Sequence, residues 1–266
     1  MKNTKMIVTD LDKTLLRNDK TISEYTKTIL TKCCQRGFLL VFATARPERA
    51  TRQWQINHTS CYTIANNGAT IFCGAKQMQT TPIPEATKHS IIQRVIADKN
   101  ITGLCAETGD VLYSNDNSYS TWGEAYPQDS GWNPVFHNFL TPVAESICKL
   151  SVECADAEIV SGILRNYPDL RVFPNSGELW YQITHASVSK YNAIAYLSNQ
   201  TGIPPENIIA FGDDFNDVEM LEKCGIGVAV ANAVTAAKEA ADFICDTNDN
   251  DGVAKYLSDY LLSAAE

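Results

Sequence analysis

Near its amino terminus the chain reads Met6-Ile7-Val8-Thr9-Asp10-Leu11-Asp12-Lys13-Thr14, a short apolar run followed by two aspartates one residue apart. A second run, Ile208-Ile209-Ala210-Phe211, leads into the acidic cluster Gly212-Asp213-Asp214-Phe215-Asn216-Asp217. Both apolar runs are typical of buried parallel strands, and open α/β sheets bind ligands at the carboxyl ends of such strands. Carboxylates gathered at one place repel one another unless a cation holds them, and their hard oxygens suit Mg²⁺. The two clusters therefore predict a metal site, and we expect that site to bind phosphate as well.

The order of the predicted elements indicates an α/β protein. Strands and helices alternate over the first part of the chain and again from Ser187, a rhythm that predicts a parallel sheet covered by helices. Between these parts, strand pairs around Thr108-Gly109 and Asn175-Ser176-Gly177 predict an antiparallel sheet. We therefore expect a Rossmann-like core made of residues 1–81 and 186–266, interrupted by an inserted α+β domain over residues 82–185.

Local signals predict the bounds of several elements. Thr21 and Glu24 have the spacing of a capping box, which predicts a first helix that begins near Thr21 and stops at Gly37. A second helix is expected to follow Thr44 and to run to about Gln55. Near the other end of the chain, short apolar runs predict strands from Ile226 to Val230 and from Phe243 to Cys245.

Composition excludes several classes of protein. The 31 acidic and 22 basic residues give a net charge of −9, which argues against nucleic acid as a partner because phosphate backbones need a basic face. Apolar runs are too short for a membrane span, and a strand predicted from Met6 leaves no room for a secretory signal. The nine cysteines form no Cys-x-x-Cys pair and the four histidines have no zinc spacing, so we expect the reduced thiols of a cytoplasmic protein. We expect a monomer or a weak homodimer.

Each candidate site residue has an ordinary structural explanation as well as a functional one. An Asp-x-Asp pair after a strand is more often a turn or a helix cap than a catalytic pair. Thr44 follows an apolar strand and could cap a helix, or its hydroxyl could donate to a phosphoryl oxygen, and the two roles are compatible.

Lys190 has the more informative position. It opens a predicted helix after Ser187-Val188-Ser189, where a cation meets the positive end of the helix dipole at a cost of roughly 0.3–1 kcal/mol. A solvated surface lysine is the ordinary alternative. A lysine that bridges a carboxylate and a bound phosphate removes the conflict.

In the second acidic cluster, capping explains one or two of the polar residues but not all four. Asp213, Asn216 and Asp217 are the stronger candidates for the site, and Asp214 is the residue expected to face away.

With these motifs in this order, the chain closely resembles the haloacid-dehalogenase-like phosphatases, in particular the Cof-type group with the larger α+β cap, called C2B. The matching segments are Asp10-x-Asp12-x-Thr14, Phe42-Ala43-Thr44-Ala45-Arg46, Asn66-Asn67-Gly68, Lys190, Gly212-Asp213-Asp214-Phe215-Asn216-Asp217, Gly227-Val228-Ala229-Val230-Ala231-Asn232-Ala233 and Asp251-Gly252-Val253. Two positions depart from the family pattern. Lys13 stands where the family usually has glycine, so its backbone is expected to avoid the conformation that only glycine tolerates, and Ala45 replaces a commoner glycine.

The resemblance implies a mechanism at the first motif. Asp10 would attack phosphorus and form a transient aspartyl phosphate, and Asp12 would protonate the leaving alcohol and then activate water. Neighbouring carboxylates should raise the pKa of Asp12 for that work.

The resemblance also implies the ligands of metal and phosphate. Mg²⁺ would be held by Asp10, the main-chain carbonyl of Asp12 and Asp213, with Asp217 in support directly or through water. The groups expected to hold the phosphoryl oxygens are Thr44, Ala45, Lys190 and Asn216. Together with Asp10 and Asp12, Thr44 and Lys190 form the expected catalytic set.

The implied function is Mg²⁺-dependent hydrolysis of small phosphomonoesters, such as sugar phosphates or related metabolites. A sugar phosphomutase would use the same aspartates, and sequence leaves it open. A catalytically silent sugar-phosphate sensor is the alternative from another class, although a sensor has no need of Asp12. Aromatic residues of the inserted domain could stack on a sugar, but each is more easily explained by packing: Tyr119, Trp122, Tyr126, Trp132 and Trp180.

Overall fold

The computed structural model describes residues 4–55, 62–116, 131–132, 134–175 and 177–262. The chain divides into two compact units. Unit 1 comprises residues 1–45, 54–78 and 189–266, and unit 2 comprises residues 46–53 and 79–188. Residues 46–53, assigned to the core domain in the sequence analysis, therefore group with unit 2.

The strands and helices are numbered in chain order. The strands are β1 (Met6–Thr9), β2 (Leu39–Ala43), β3 (Tyr62–Ala65), β4 (Thr70–Cys73), β5 (Lys76–Thr80), β6 (Ile101–Glu107), β7 (Leu112–Ser114), β8 (Pro134–Phe136), β9 (Lys149–Cys154), β10 (Leu170–Pro174), β11 (Trp180–His185), β12 (Ile208–Gly212), β13 (Ile226–Val230) and β14 (Phe243–Cys245). The α-helices are α1 (Glu24–Gln35), α2 (Glu85–Ile96), α3 (Ala157–Leu164), α4 (Lys190–Thr201), α5 (Val218–Lys223), α6 (Thr235–Ala240) and α7 (Gly252–Leu257).

Unit 1 is built on an eight-stranded sheet in the order β14-β13-β12-β1-β2-β3-β4-β5. The five pairings from β14 to β3 are parallel, and β3 pairs with β4 in the antiparallel direction. Central strands such as β1 and β12 are buried along their whole length, which is why they read as uninterrupted apolar runs. Helices pack on the sheet, so the expected α/β class with a Rossmann-like parallel sheet is confirmed.

The first helix begins two residues later than a capping box at Thr21 requires. Its N-cap is Ser23, whose hydroxyl accepts a hydrogen bond from the Thr26 backbone amide. Thr21 instead donates its hydroxyl to the Asp19 carboxylate at 2.6 Å. The predicted capping box is therefore wrong, because Ser23 caps the helix two residues further along the chain.

The segment after Thr44 forms no α-helix. Two short 3₁₀ turns occupy it, Glu48–Ala50 and Arg52–Trp54. The carbonyl of Glu48 accepts hydrogen bonds from both the backbone amide and the hydroxyl of Thr51. These bonds close a tight three-residue turn in place of the continuous helix that was predicted.

Unit 2 contains a six-stranded sheet in the order β10-β11-β9-β6-β7-β8. Four of its pairings are antiparallel, as the strand-pair signals predicted, whereas β7 and β8 run parallel. The short strand β8 carries no alternating pattern long enough to predict it. Helices α2 and α3 pack on this sheet. Three of the aromatic candidates lie outside the described residues: Tyr119, Trp122 and Tyr126.

Within the described residues, no helix combines the length and the apolar character needed to cross a bilayer. The cysteines of that part of the chain form no disulfide.

Candidate active site

Three strands of unit 1 end side by side and carry the predicted site residues. Thr9, the last residue of β1, lies opposite Phe42 in β2 and Phe211 in β12. The backbone amide of Asp10 extends this pairing by donating to the Phe211 carbonyl at 2.9 Å. Because the strands are parallel and in register, Asp10, Thr44 and Asp213 follow them at the same edge of the sheet. All three side chains are buried.

Lys190 joins the two acidic motifs. Its Nζ donates to Asp10 Oδ1 and to Asp217 Oδ1, both at 2.6 Å. The lysine is the first residue of α4, whose N-cap Ser189 accepts from the Asn192 amide. Only 1% of Lys190 is exposed, so the alternative of a solvated surface lysine is wrong. The unfavourable helix position is explained by two carboxylates that surround the ammonium group.

Asp217 organises the backbone of its own loop. Its Oδ2 accepts from the backbone amides of Asp213 at 2.9 Å and Asp214 at 3.1 Å, while Oδ1 faces Lys190. Gly212 makes this fit possible, because a Cβ there would lie 2.5 Å from the Cβ of Asp217. Asp217 is wholly buried, so these bonds are made away from solvent.

Three carboxylates are close enough to share one cation. One oxygen from each of Asp10, Asp213 and Asp217 lies within 4.8 Å of the others. Thr14 donates its hydroxyl to Asp213 Oδ1 at 2.7 Å, which fixes the orientation of that carboxylate. Lys190 supplies one positive charge for the three acids, so a divalent cation with oxygen ligands fits both the donors and the remaining charge.

Burial and mutual repulsion set the ionisation of this cluster. Burial raises the pKa of Asp10 well above its usual range, against the opposing attraction of Lys190. Burial, with the charge of Asp217, raises the pKa of Asp213 to about 7. Burial alone would lower the pKa of Lys190, but attraction to Asp10 and Asp217 outweighs it and the pKa is raised. The lysine therefore stays charged, and the acids gain from any further cation.

Asp12 lies in a different environment from Asp10. Its carboxylate Oδ1 accepts from Lys20 Nζ at 2.8 Å, and its side chain is 33% exposed. Asp12 belongs to the π-turn Leu11–Leu15, in which Lys13 has φ +60° and ψ +4°. Lys13 thus has left-handed backbone, which favours glycine but which other residues also adopt at a cost. Asn232 stabilises the turn by donating its amide to the Lys13 carbonyl at 2.7 Å.

The remaining phosphate-site candidates lie on two loops of unit 1. Thr44 begins no helix, which removes its capping role, and its neighbour Ala45 is half-buried. Asn216 donates its Nδ2 to Asn67 Oδ1 at 2.8 Å. The sequence places Asn67 in the matching segment Asn66-Asn67-Gly68 and indicates no role for it alone. The available signal was its type, since asparagine tolerates left-handed backbone and also carries an amide.

The chain is similar to known proteins over nearly its whole length. The family model described as haloacid dehalogenase-like hydrolase matches residues 7–257. The chain is 27% identical over 262 residues to the 5-amino-6-(5-phospho-D-ribitylamino)uracil phosphatase YcsE of Bacillus subtilis, with 97% of this chain and 96% of that protein covered. It is 24% identical over 281 residues to the pyridoxal phosphate phosphatase YbhA of Escherichia coli, with 97% and 99% covered.

A crystal structure of a haloacid dehalogenase-like hydrolase from Bacteroides thetaiotaomicron is also similar. It superposes with a TM-score of 0.82 at 25% sequence identity, over 96% of this chain and 99% of that one. The protein belongs to the haloacid dehalogenase-like hydrolases, as its motifs indicated, and it is an enzyme of the phosphatase type.

Proposed function

We propose that the protein is a Mg²⁺-dependent phosphatase that hydrolyses small phosphomonoesters through an aspartyl-phosphate intermediate. The observation that carries this proposal is the buried bridge from Asp10 through Lys190 to Asp217, next to Asp213 at the strand ends. A carboxylate held in this way has one oxygen fixed by the lysine and the other available for attack. We expect the substrates to be sugar phosphates or related metabolites of the cytoplasm.

The two relatives support a phosphomonoester substrate without fixing its identity. Their names describe different substrates, a phosphorylated ribitylaminouracil and pyridoxal phosphate. Their shared feature is a phosphate ester on a small organic molecule. The proposed substrate is therefore defined by its phosphoryl group, and its leaving group is specified only as a small organic molecule.

In the proposed reaction Asp10 Oδ2 attacks phosphorus while Lys190 holds Oδ1 of the same carboxylate. Asp12 gives a proton to the leaving alcohol, so its contact with Lys20 must open when substrate binds. In the second step Asp12 takes a proton from the water that releases phosphate from Asp10.

The phosphoryl oxygens are proposed to bind four groups of unit 1. These groups are the Thr44 hydroxyl, the Ala45 backbone amide, Lys190 Nζ and the Asn216 amide. Lys190 and Asn216 are placed by their contacts with Asp217 and Asn67. Such fixed donors favour the transition state because they need no reorganisation as negative charge develops.

Asp10, Asp213 and the main-chain carbonyl of Asp12 would hold Mg²⁺, which when bound neutralises charge on the phosphoryl group. Asp217 would act mainly by holding Lys190 and the loop of Asp213 in place, because its two oxygens already accept from Lys190 and from two backbone amides. Its substitution should disturb Lys190 and the Asp213 loop together.

The test is phosphate release by purified protein from p-nitrophenyl phosphate and a panel of sugar, alditol and pyridoxal phosphates, with Mg²⁺ or with excess chelator. We expect turnover with Mg²⁺ only. Asp10→Asn should abolish turnover and keep the fold, because it also removes one of three mutually repelling carboxylates. Asp214→Asn, in the same region of sequence but outside the proposed machinery, is the matched control. Full activity in chelator, or an active Asp10→Asn variant, would contradict the proposal.

A further inference from the structure

The turn between β3 and β4, residues Asn66–Gly68, contacts three separate parts of the proposed phosphate site. The backbone amide of Asn67 donates to the Thr44 carbonyl at 3.0 Å. The side chain of the same residue accepts from Asn216 Nδ2 at 2.8 Å. Asn67 is wholly buried, and its partner Asn216 is half-buried. One residue thus connects the loop after β2 with the loop after β12.

The next residue of the turn connects to the helix that carries Lys190. A Cβ on Gly68 would lie 2.3 Å from the Ser189 carbonyl oxygen, which is closer than any side chain permits. Gly68 also has φ +102°. The absence of a side chain therefore allows the turn to pack directly against the start of α4, one residue before Lys190.

Two residues of this turn have left-handed backbone, which their contacts stabilise. Asn66 and Asn67 both have left-handed φ values, +52° and +60°. Left-handed backbone costs a residue other than glycine roughly 1–2 kcal/mol, and asparagine tolerates it better than most. Such strain persists where the surrounding structure requires it, and it is common at functional sites.

The hydrogen bond between Asn67 and Asn216 determines the orientation of the Asn216 amide, because it holds the nitrogen of that amide towards Asn67. A primary amide has an oxygen end and a nitrogen end of nearly equal size, and its own shape does not select between them. If Asn216 were reversed, its oxygen would face the oxygen of Asn67. Asn216 Oδ1 is buried and accepts no hydrogen bond from any described residue, so no competing bond holds the amide. Asn67 therefore sets the orientation.

We propose that Asn67 is a positioning residue of the phosphate site, which orients the Asn216 amide so that its second N–H is available to a phosphoryl oxygen. It acts through Asn216 and need not touch the substrate. The inference rests on the proposed function, since it assigns Asn216 to phosphate. It adds a fifth chain segment to the four whose motifs carry the proposed chemistry.

The experiment is a double-mutant cycle with Asn67→Gly, Asn216→Ala and the pair of them in the full-length protein. Glycine keeps the left-handed backbone and removes only the side chain. The matched control is Asn66→Gly, which removes the same side chain from the same kind of backbone, where the amide donates to Thr70 at 3.3 Å instead. Readouts are KM and kcat for p-nitrophenyl phosphate and calorimetric binding of inorganic phosphate with Mg²⁺ present.

We expect Asn67→Gly to raise KM and the phosphate dissociation constant by roughly tenfold, with a smaller effect on kcat. In the Asn216→Ala background the same change should add less than about twofold, because the group that it orients is already gone. Asn66→Gly should leave both constants within about twofold of the parent values. If Asn67→Gly does not fold, Asn67→Ser, whose hydroxyl stops one bond short of Asn216, takes its place.

The outcomes separate this inference from the proposed function. A parent that hydrolyses esters, with an Asn67→Gly variant that binds phosphate equally well or shows additive effects, would overturn the role of Asn67 alone. A parent without turnover that still shows the coupled loss of phosphate binding would overturn the phosphatase and keep the positioning role. A parent that neither turns over esters nor binds phosphate would overturn both.

Discussion

Asp213 is the residue whose burial most directly opposes the role proposed for it, that of an ionised metal ligand. It is buried, it neighbours the charged Asp217, and these effects raise its pKa to about 7. The hydroxyl of Thr14 acts in the opposite direction by donating to the carboxylate. A metal ligand must be ionised, so in its proposed role Asp213 would bind either a proton or a cation near neutral pH.

This competition gives the first prediction, on metal affinity. As pH falls below about 7, Asp213 becomes protonated, and the Mg²⁺ concentration for half-maximal activity should rise by up to about tenfold per pH unit. Thr14→Val removes the stabilising donor, which should raise the pKa of Asp213 and weaken Mg²⁺ binding at pH 7. Thr26→Val is the control, because Thr26 is also buried but donates to Asp251. Half-maximal Mg²⁺ concentrations independent of pH would contradict the assignment of Asp213.

Residue identity at the strand ends could be predicted, whereas backbone conformation could not. Asp10, Thr44 and Asp213 each follow an apolar run, so their convergence follows from a parallel sheet in register. The left-handed φ values of Lys13 and Asn67 depend on contacts with Asn232 and Thr44 that come from distant parts of the chain. Local sequence carries little information about such contacts.

At the scale of elements, the start of α4 is fixed by two neighbours. Ser189 caps the helix with its own side chain, and its carbonyl packs against Gly68. Because Lys190 follows at once, any shift of this helix end moves the ammonium group relative to Asp10.

The second prediction compares two glycines of the same β3–β4–β5 region. Gly68→Ala should lower the free energy of unfolding by about 2–4 kcal/mol, because the new methyl group overlaps the Ser189 carbonyl. Gly74→Ala should cost about 1 kcal/mol, because Gly74 has φ +56° but no atom within 4 Å of the position that a Cβ would occupy. Urea unfolding measures both. Equal losses for the two variants would show that backbone strain, and not the close approach to α4, decides the requirement for glycine.

Strands with strong apolar patterns were predicted well, whereas the short 3₁₀ turns after Thr44 were not. The strands Ile226–Val230 and Phe243–Cys245 agree with the sequence analysis to the residue. The expected helix to Gln55 is replaced by two 3₁₀ turns, the first closed by the amide and hydroxyl of Thr51 on the Glu48 carbonyl. Such short turns leave no trace in periodicity.

At the scale of the whole molecule, unit 2 is assembled from two separated segments of the chain. Arg49, from the short segment 46–53, donates to both carboxylate oxygens of Glu107 at 2.8 and 2.7 Å. It also donates to the carbonyls of Gly109 and Gly131. Glu107 is 1% exposed, so this charge depends on its partners. Sequence could not reveal such a pair, because its members are 58 residues apart.

The third prediction follows from this ion pair. Arg49→Met leaves the Glu107 carboxylate buried without its bidentate donor and should lower the free energy of unfolding by about 3–5 kcal/mol. Lys27→Met is the control, since Lys27 and its partner Glu24 are both exposed, and it should cost about 1 kcal/mol or less. Thermal and urea unfolding measure both variants. An Arg49→Met variant as stable as Lys27→Met would show that Glu107 does not depend on this partner.

The fourth prediction concerns Lys149, which lies opposite Glu107 in the sheet of unit 2. Burial lowers the pKa of Lys149 from 10.5 to about 8, although Glu107 opposes the shift. Between these two pH values the unfolded chain binds more protons than the folded one, so this lysine makes stability increase with pH. Lys149→Met removes that contribution. The free energy of unfolding of the variant minus that of the parent should therefore fall as pH rises from about 8 towards 10.5. Urea unfolding of both proteins across this range measures the difference, in which groups common to both cancel. A difference that stays constant with pH would show that Lys149 keeps its ordinary pKa in the fold, and that Glu107 together with solvent compensates fully for its burial.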